Sequence, residues 1–575
     1  MFTLHEPLDD ASRDALNAYD DLTAALLARR GVTTAAAADA FLNPSYDLHV
    51  HDPLRMTDMP KAAERFARAI LQKEKIAVWS DYDCDGIPGA TLLHDFLTKA
   101  GANFVTYIPH RHLEGYGMNM HGVESLAKDG ASLLVTVDSG ITDLAPVAHA
   151  NALGIEVIVT DHHLPGEQLP DAYAVVNPNA RKNEPYPFHG LCGSGVAWKL
   201  VCAALAVSPE LRARIPVGWE KWLLDMVALA TVADMVPLCD ENRVLVWYGL
   251  VVMRKSPRIG LQKLCRTARC EQRTLTEDDI GFMLAPRVNA ASRMGDARGA
   301  FELFTTNDEA RADELAKHLE KLNRTRKSEA GAITHAVHAR LKERIEMPSV
   351  IALGDPEWRP ALLGLVANSI AEEFSRPVFL WGREGDATIK GSVRSGTVNA
   401  LELMRGARDA FVEFGGHAAS GGFTAHEDAI FTLEEKLVSA LARLMVSTDE
   451  DSSLSRADID IAPAEVTHAL LKKLQRLAPF GIGNEKPCVR MRAVVVRTVS
   501  QFGKGGEHRK ICFASGETDT LDGIVFFARG ALVQTIDSIT EGDAVHILAH
   551  LERDMFSRGR PVRLRLLAIA KADRT

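Results

Sequence analysis

Between Lys75 and Gly89 the chain reads KIAVWSDYDCDGIPG. An apolar run of strand type stops in three alternating aspartates, Asp81, Asp83 and Asp85, followed by Gly86 and a helical-looking apolar stretch from Ala90 to Leu97. On an extended backbone, side chains at i, i+2 and i+4 share one face. The spacing therefore predicts three carboxylates converging at the carboxyl end of a strand, where open α/β sheets place their ligands. Carboxylates that close repel one another unless cations neutralise them. Taken alone, the segment also reads as an acidic turn ahead of a helix N-terminus, which the helix macrodipole tolerates.

The following strands repeat the pattern. Ser132 to Asp138 (SLLVTVD) ends in Asp138 ahead of Ser139-Gly140, and Glu156 to Val159 leads into Asp161-His162-His163. Trp222 to Leu238 (WLLDMVALATVADMVPL) is an apolar, helix-like run carrying Asp225 and Asp234, whose charges need partners there. Hard oxygen donors mixed with imidazole and without thiolate suit Mn²⁺ or Mg²⁺. Of the eight cysteines, the nearest pair is Cys265 and Cys270, with no second pair at zinc-ligand spacing. The carboxylates and two histidines exceed the needs of one ion. Two metals about 4 Å apart, sharing a bridging Asp, are the usual arrangement for phosphoester hydrolysis. Either histidine alone reads equally well as a capping or core residue; the adjacent pair after a strand and an aspartate is harder to read that way.

Composition fits a soluble enzyme. With 575 residues, 46% of them hydrophobic, the chain has material for three or four domains with cores. No uncharged stretch of eighteen apolar residues occurs, and MFTLHEPLDD lacks the plan of a signal peptide, so the expectation is a cytoplasmic protein with reduced thiols. The net charge of −10 is unevenly spread: Asp451 to Thr575 carries nineteen Lys or Arg against fifteen Asp or Glu. A basic face there suits phosphate binding, although an ordinary solvated surface has the same charge.

Residues 1–70 read as a mostly helical N-terminal extension, and 71–305 alternate strands and helices as a parallel, doubly wound sheet does. Over 306–346, Leu315, Leu319, Leu322, Ile333, Val337, Leu341 and Ile345 predict one long amphipathic helix, or two broken near Gly331. A second α/β unit is expected over 347–446, with strands near Ser349 to Leu353 and Pro377 to Trp381 and a Gly-rich segment, Gly415 to Gly422, able to approach phosphate. After a polar linker, residues 456–575 hold short alternating runs typical of a small β-barrel of the OB type. There Arg490, Arg492, Arg497, Arg558, Arg560, Arg563 and Arg565 are interleaved with Phe502, Phe526, Phe527 and Phe556, a pattern for gripping single strands, with the phenylalanines as core the alternative.

Asp161-His162-His163 resembles the signature triplet of the DHH phosphoesterase superfamily, and SDYDCDG, TVDSGIT and ATVADMVPL resemble its other metal motifs. YIPHRHLEGYGMN, LCGSGVAWK, APRVNAASRMGD, GGHAASGG and LAPFGIGNEKP are similar to segments of the RecJ family of single-strand-specific 5′-to-3′ exonucleases, from about Ala40 to near the C-terminus. The resemblance implies Asp83, Asp85, Asp138, His162 and Asp234 as ligands of two Mn²⁺ or Mg²⁺ ions, with Asp138 bridging and Asp81 and His163 as close catalytic partners. It implies Arg111, Tyr116, Arg287, Asn289, Arg293, Ser392, Arg394, Ser395 and His417 as the substrate grip, the 347–446 unit as a DHH-associated domain, and no organic cofactor. Single-stranded DNA is the implied partner, with a helicase and a single-strand-binding protein as candidate protein partners. Ser139 stands where the family pattern has Cys, Ser292 where it has Gly, and Trp358-Arg359-Pro360-Ala361 replaces its Trp-His-x-Gly.

The expected activity is removal of 5′ nucleotides from single-stranded DNA in repair and recombination, with water as nucleophile. A DHH enzyme acting on oligoribonucleotides or cyclic dinucleotides would share the metal motifs but lack the barrel and the N-terminal extension. A non-catalytic scaffold would have lost carboxylates, and here all are present.

Overall fold

The computed structural model describes residues 2–384, 388–444, 456–503, 506–516, 519–526, 530–554 and 562–572. Two compact units result: Asn43–Lys327 with Pro479–Glu485, and the remainder. The stretch expected as one N-terminal extension is divided between them. Its first strand, β1 (Thr3–Leu4), pairs in parallel with Arg456–Ala457. Arg490 donates to Phe2 O at 2.7 Å and Arg29 meets Asp458 at 2.9 Å. Residues from Asn43 onward, including the helix Met59–Gln72, belong to the metal-motif unit.

That unit is built on β2 (Lys75–Ser80), β3 (Asn103–Tyr107), β4 (Leu133–Val137), β5 (Glu156–Thr160) and β6 (Ala174–Val176), all parallel, in the order β3-β2-β4-β5-β6. Ile76 and Val78 of β2 enter one core with Phe66, Phe96 and Trp198, whereas Ala77 and Trp79 enter another with Val123, Leu134 and Val157. With both faces covered, each strand is a nearly continuous apolar run. The order reverses between β2 and β4, so a crevice opens beyond their carboxyl ends. Asp81 and Asp138 follow those two strands.

Trp222–Leu238 is a 3₁₀ turn, Trp219–Leu223, running into the helix Leu224–Ala233, which ends at Asp234. The long helix is continuous: Glu309–Lys342, 34 residues, passes through Gly331 without a break.

In the second unit, β7 (Ile351–Gly354), β8 (Val378–Glu384), β9 (Thr388–Arg394), β10 (Phe411–Gly416) and β11 (Ser420–Ala425) form a sheet ordered β10-β11-β9-β8-β7 in which only β7–β8 is parallel. Next come the short β12 (Arg456–Ala457) and β13 (Ile459–Asp460). Then β14 (Val489–Phe502), β15 (His508–Ala514), β16 (Thr520–Val525), β17 (Ala544–Arg553) and β18 (Val562–Lys571) pair in the order β14-β15-β16-β18-β17, and β17 returns to β14. The result is a closed five-stranded barrel, whose closure removes the free sheet edge. Among the described residues, no helix is long and apolar enough to cross a membrane.

Candidate metal centre and substrate site

β2 stops at Ser80, and Asp81–Asp85 is a tight turn, not the extended chain that strand alternation assumed. Asp83 Oδ1 accepts the N–H groups of Asp85 (2.7 Å) and Gly86 (3.2 Å), a local closure typical of aspartate. A Cβ on Gly86 would lie 2.2 Å from Asp81 O, so only glycine lets the turn fold back that far. The carboxylates converge because the chain wraps. Asp81 and Asp83 form one ligand group with Asp138, and Asp85 forms another with His162 and Asp234.

Asp85 is anchored by the start of the helix Gly193–Val207: Gly193 N donates to Oδ2 (2.6 Å) and Ser194 N to Oδ1 (2.8 Å). First-turn N–H groups, which lack an intrahelical acceptor, and the macrodipole suit a carboxylate there. Asp138, one residue past β4, adopts φ +60°, a left-handed conformation uncommon outside glycine that concentrates at functional sites. Thr136 Oγ1 donates to Ser139 O (2.7 Å) and accepts from Thr160 N (3.1 Å), bracing this corner. Ser139, the departure from the family's Cys, is buried with its hydroxyl 3.4 Å from Val137 O.

His162 Nε2 lies 3.2 Å from Asp138 Oδ1, 3.6 Å from Asp234 and 3.7 Å from Asp85. Even so, His162 Nε2, Asp138 Oδ1 and Asp81 Oδ1 are buried with no hydrogen-bond partner among the described residues. Such groups are rare and costly unless something else satisfies them. A third ligand group joins Asp138 with His162 and His163, so Asp138 is common to two of the three groups. Burial first, and then the neighbouring carboxylates, push Asp81 and Asp138 well above the usual carboxylate range and Asp234 up to about 9. Hard donors, orphaned buried atoms and mutual repulsion all fit divalent cations, which the groups formed by Asp81, Asp83, Asp85, Asp138, His162, His163 and Asp234 could hold.

Several supporting residues are absent from the sequence-based set. Asp161 is buried; its Oδ1 accepts from His163 Nδ1 at 2.8 Å and its Oδ2 from Ile141 N at 3.0 Å. Burial opposes a charged His163, but this hydrogen bond together with the negative charge of Asp161, Asp234 and Asp85 outweighs it and brings the imidazole to about 9. Asn177 and Asn179 hold His163 O (2.9 Å) and His162 O (2.6 Å). The Asn-Pro-Asn run after β6 was a signal in plain view. Asp225, by contrast, is no part of the centre: it is buried against Ser256 (2.9 Å) and Arg258 (3.1 Å).

Of the expected substrate grip, Tyr116 donates to Asp138 O and touches His163 Nδ1, both at 3.2 Å. Arg111 stacks 5.0 Å over Tyr82. Asn289 accepts from Cys84 N (3.0 Å), so it steadies the aspartate turn. Arg293 acts on the Tyr82 phenol. Arg287 is nearly buried, with Nε on Glu320 at 2.7 Å and Nη1 on Met283 O. Ser292, also buried, donates to Asn289 O at 3.3 Å.

In the second unit, Ser392 and Arg394 converge over Gly364: a Cβ there would lie 2.9 Å from Arg394 Nη2 and 3.5 Å from Ser392 Oγ. Burial alone lowers the Arg394 guanidinium, with no carboxylate among the described residues acting on it, while Nη1 donates to Val393 O at 2.8 Å. The Ser395 hydroxyl is spent locally on Val398 O (2.7 Å). His417 lies in the β10–β11 turn, its N–H on Ser420 O at 2.7 Å. Arg359 pairs with Glu329 at 3.1 Å. On the barrel, Phe502, His508 and Phe526 touch edge to ring at 5.0–6.0 Å, and Arg565 lies 4.2 Å over Phe526. Arg563 and Arg565 share Glu552, Arg490 and Arg492 are held by Asp460, and Arg497 is exposed. Phe527, Phe556, Arg558 and Arg560 lie outside the described residues.

Three stretches match known families: residues 75–231 the DHH family, N-terminal domain; 346–445 the DHHA1 domain; and 457–567 the RecJ OB domain. The single-stranded-DNA-specific exonuclease RecJ of Escherichia coli (strain K12) is 34% identical over 512 residues, covering 83% of this chain and 85% of that protein. The chain belongs to the RecJ family. RecJ of Bacillus subtilis (strain 168) is 34% identical over 532 residues, covering 92% of this chain; the chain spans 65% of that relative's length. The crystal structure of RecJ in complex with Mn²⁺ from Thermus thermophilus matches with a TM-score of 0.79 at 27% identity, over 98% of this chain and 78% of that one. The complex of that RecJ with Mg²⁺ matches with a TM-score of 0.72 at 25% identity, over 98% and 76%.

Proposed function

We propose that this chain is a two-metal exonuclease that degrades single-stranded DNA from its 5′ end to mononucleotides, a cytoplasmic enzyme of DNA repair and recombination. The observation that carries this reading is Asp138, shared between two ligand groups while its buried Oδ1 has no hydrogen-bond partner among the described residues. When held by these groups, Mn²⁺ or Mg²⁺ would supply the charge that activates a water and steadies a leaving oxygen. The protein's own part is orientation. Asp161 turns His163, Asn179 and Asn177 fix the backbone of the histidine pair, and Gly193 and Ser194 aim Asp85. Tyr116 keeps a phenol hydroxyl beside Asp138, within reach of a phosphate ester held there.

Arg394 with Ser392 is suited to gripping a phosphate, because a guanidinium with no carboxylate partner among the described residues offers a bidentate fork. The aromatic cluster of Phe502, His508 and Phe526 with Arg565 is suited to stacking unpaired bases. The deciding experiment incubates the protein with Mn²⁺ or Mg²⁺ and strands labelled at either end, as single-stranded DNA, duplex and RNA. The expected result is loss of 5′-label from single-stranded DNA as mononucleotide; release from the 3′ end, or a preference for RNA, overturns the reading. A helicase and a single-strand-binding protein are the partners we propose. Association is tested by pull-down with each purified protein, and the absence of binding to either removes that proposal.

A further inference from the structure

The turn after Asp234 is strained and must be fastened from outside. Met235 has φ +60° and Asp240 φ +48°, so two left-handed residues bracket a six-residue excursion between the helices Leu224–Ala233 and Asp240–Met253. Such conformations persist only where the surroundings over-determine them. Here the surroundings are supplied by the first turn of the second helix, whose residues grip other segments of the unit. Asp240 pairs with His51 at 2.6 Å, Glu241 with the fully buried Lys199 at 2.6 Å, and Arg243 donates to Pro479 O at 3.4 Å. Between them is Asn242, completely buried, whose side-chain NH₂ donates to Pro237 O at 3.0 Å and to Gly190 O at 2.6 Å.

Those two carbonyls belong to the segments that carry different metal-site carboxylates. Pro237 lies three residues beyond Asp234, and Gly190 three residues ahead of Gly193, whose N–H holds Asp85. One amide group thus ties the Asp234 segment to the Asp85 cradle. On the far side of the turn, Leu238 N donates to Ile482 O at 2.7 Å, so the Pro479–Glu485 segment closes it.

We infer that Asn242 is a positioning residue of the metal centre, setting the separation of Asp85 and Asp234. It belongs to none of the candidate ligand groups. The inference rests on the two-metal reading and adds to it a residue outside the ligand set. Groups that orient ligands typically alter metal affinity by about 10–100-fold when removed.

The test is Mn²⁺ titration of the full-length protein without DNA, by calorimetry or by the Mn²⁺ paramagnetic signal. Asn242→Asp keeps the volume but removes both donated hydrogens. It should weaken Mn²⁺ binding about tenfold, lower kcat at limiting Mn²⁺ and recover toward the parent value at saturating Mn²⁺, with KM for DNA unchanged. Should that variant fold poorly, Asn242→Ser removes the same donors without adding charge and carries the same expectation. Ser256→Ala, which strips a buried hydroxyl from Asp225, is the control for stability loss alone. An Asn242 variant that melts early, as this control does, yet binds Mn²⁺ like the parent overturns the inference. Asp234→Ala in the same titration separates the two claims: if it also binds Mn²⁺ like the parent, the two-metal reading fails.

Discussion

Gly193 approaches Asp138 so closely that a Cβ on it would lie 2.5 Å from the Cβ of the aspartate and 2.7 Å from its Cα. The clash involves backbone, so it cannot be relieved by a rotamer change. The same Gly193 N–H holds Asp85 at 2.6 Å. One glycine thus fixes the distance between a carboxylate shared by two ligand groups and a carboxylate of the third.

Gly193→Ala should therefore separate Asp138 from Asp85 and reduce kcat on single-stranded DNA by about 10–100-fold, the range seen when ligand orientation is lost. Steady-state kinetics at saturating Mn²⁺ check this. Parent-like kcat would show that the centre tolerates the displacement.

The carboxylate cluster makes the metal-free protein sensitive to alkali. Asp234 sits at about 9 in the fold, raised by burial and then by Asp85 and Asp83, against an ordinary value near 4 in the unfolded chain. Between these values the folded state holds a proton that the unfolded state has lost, so stability falls as pH rises from about 4 toward about 9. In EDTA, the Tm advantage of Asp234→Asn over the parent should widen from pH 5 to pH 9 and shrink when Mn²⁺ is restored to the parent. A pH-independent gap would show that Asp234 is not under this repulsion.

Among the described residues, Arg394 has no acidic partner to give up when a phosphate arrives. Arg394→Lys keeps the charge but loses the fork, so it should raise KM for single-stranded DNA about tenfold with kcat little changed. A matching fall in kcat would place Arg394 in the chemical step.

On the barrel, Arg565→Ala should weaken binding of single strands and reduce the slope of log K against log salt by about one, while Phe526→Ala should weaken binding without changing the slope. Binding isotherms at several salt concentrations separate charge from stacking. An unchanged slope in Arg565→Ala would remove that arginine from the phosphate contacts.

That these aspartates and histidines come together was legible because strand ends and the histidine pair announce it. The reason for their convergence was not: Asp83 closes its own turn through Asp85 N and Gly86 N, a choice the alternating pattern hides. The partner that Asp225 needs was not legible, because its neutraliser, Arg258, lies 33 residues further on and no periodicity links them. Asn177, Asn179 and Asn242 act through backbone carbonyls, which any sequence supplies, so nothing in the pattern marks their partners. The barrel and the long helix were readable, whereas the departure of residues up to Leu42 from the metal-motif unit depends on two-residue pairing far along the chain.

The pairing of Thr3–Leu4 with Arg456–Ala457, and of Arg29 with Asp458 across 429 residues, also has a consequence during synthesis. At roughly 5–20 residues per second on the ribosome, the chain's opening stretch waits about 20–90 s before its partners emerge. The metal-motif unit is completed by Pro479–Glu485, which emerges at nearly the same moment. Neither unit can therefore reach its final form before residues 458–485 have left the ribosome, long after the stretch Asn43–Lys327 has been made.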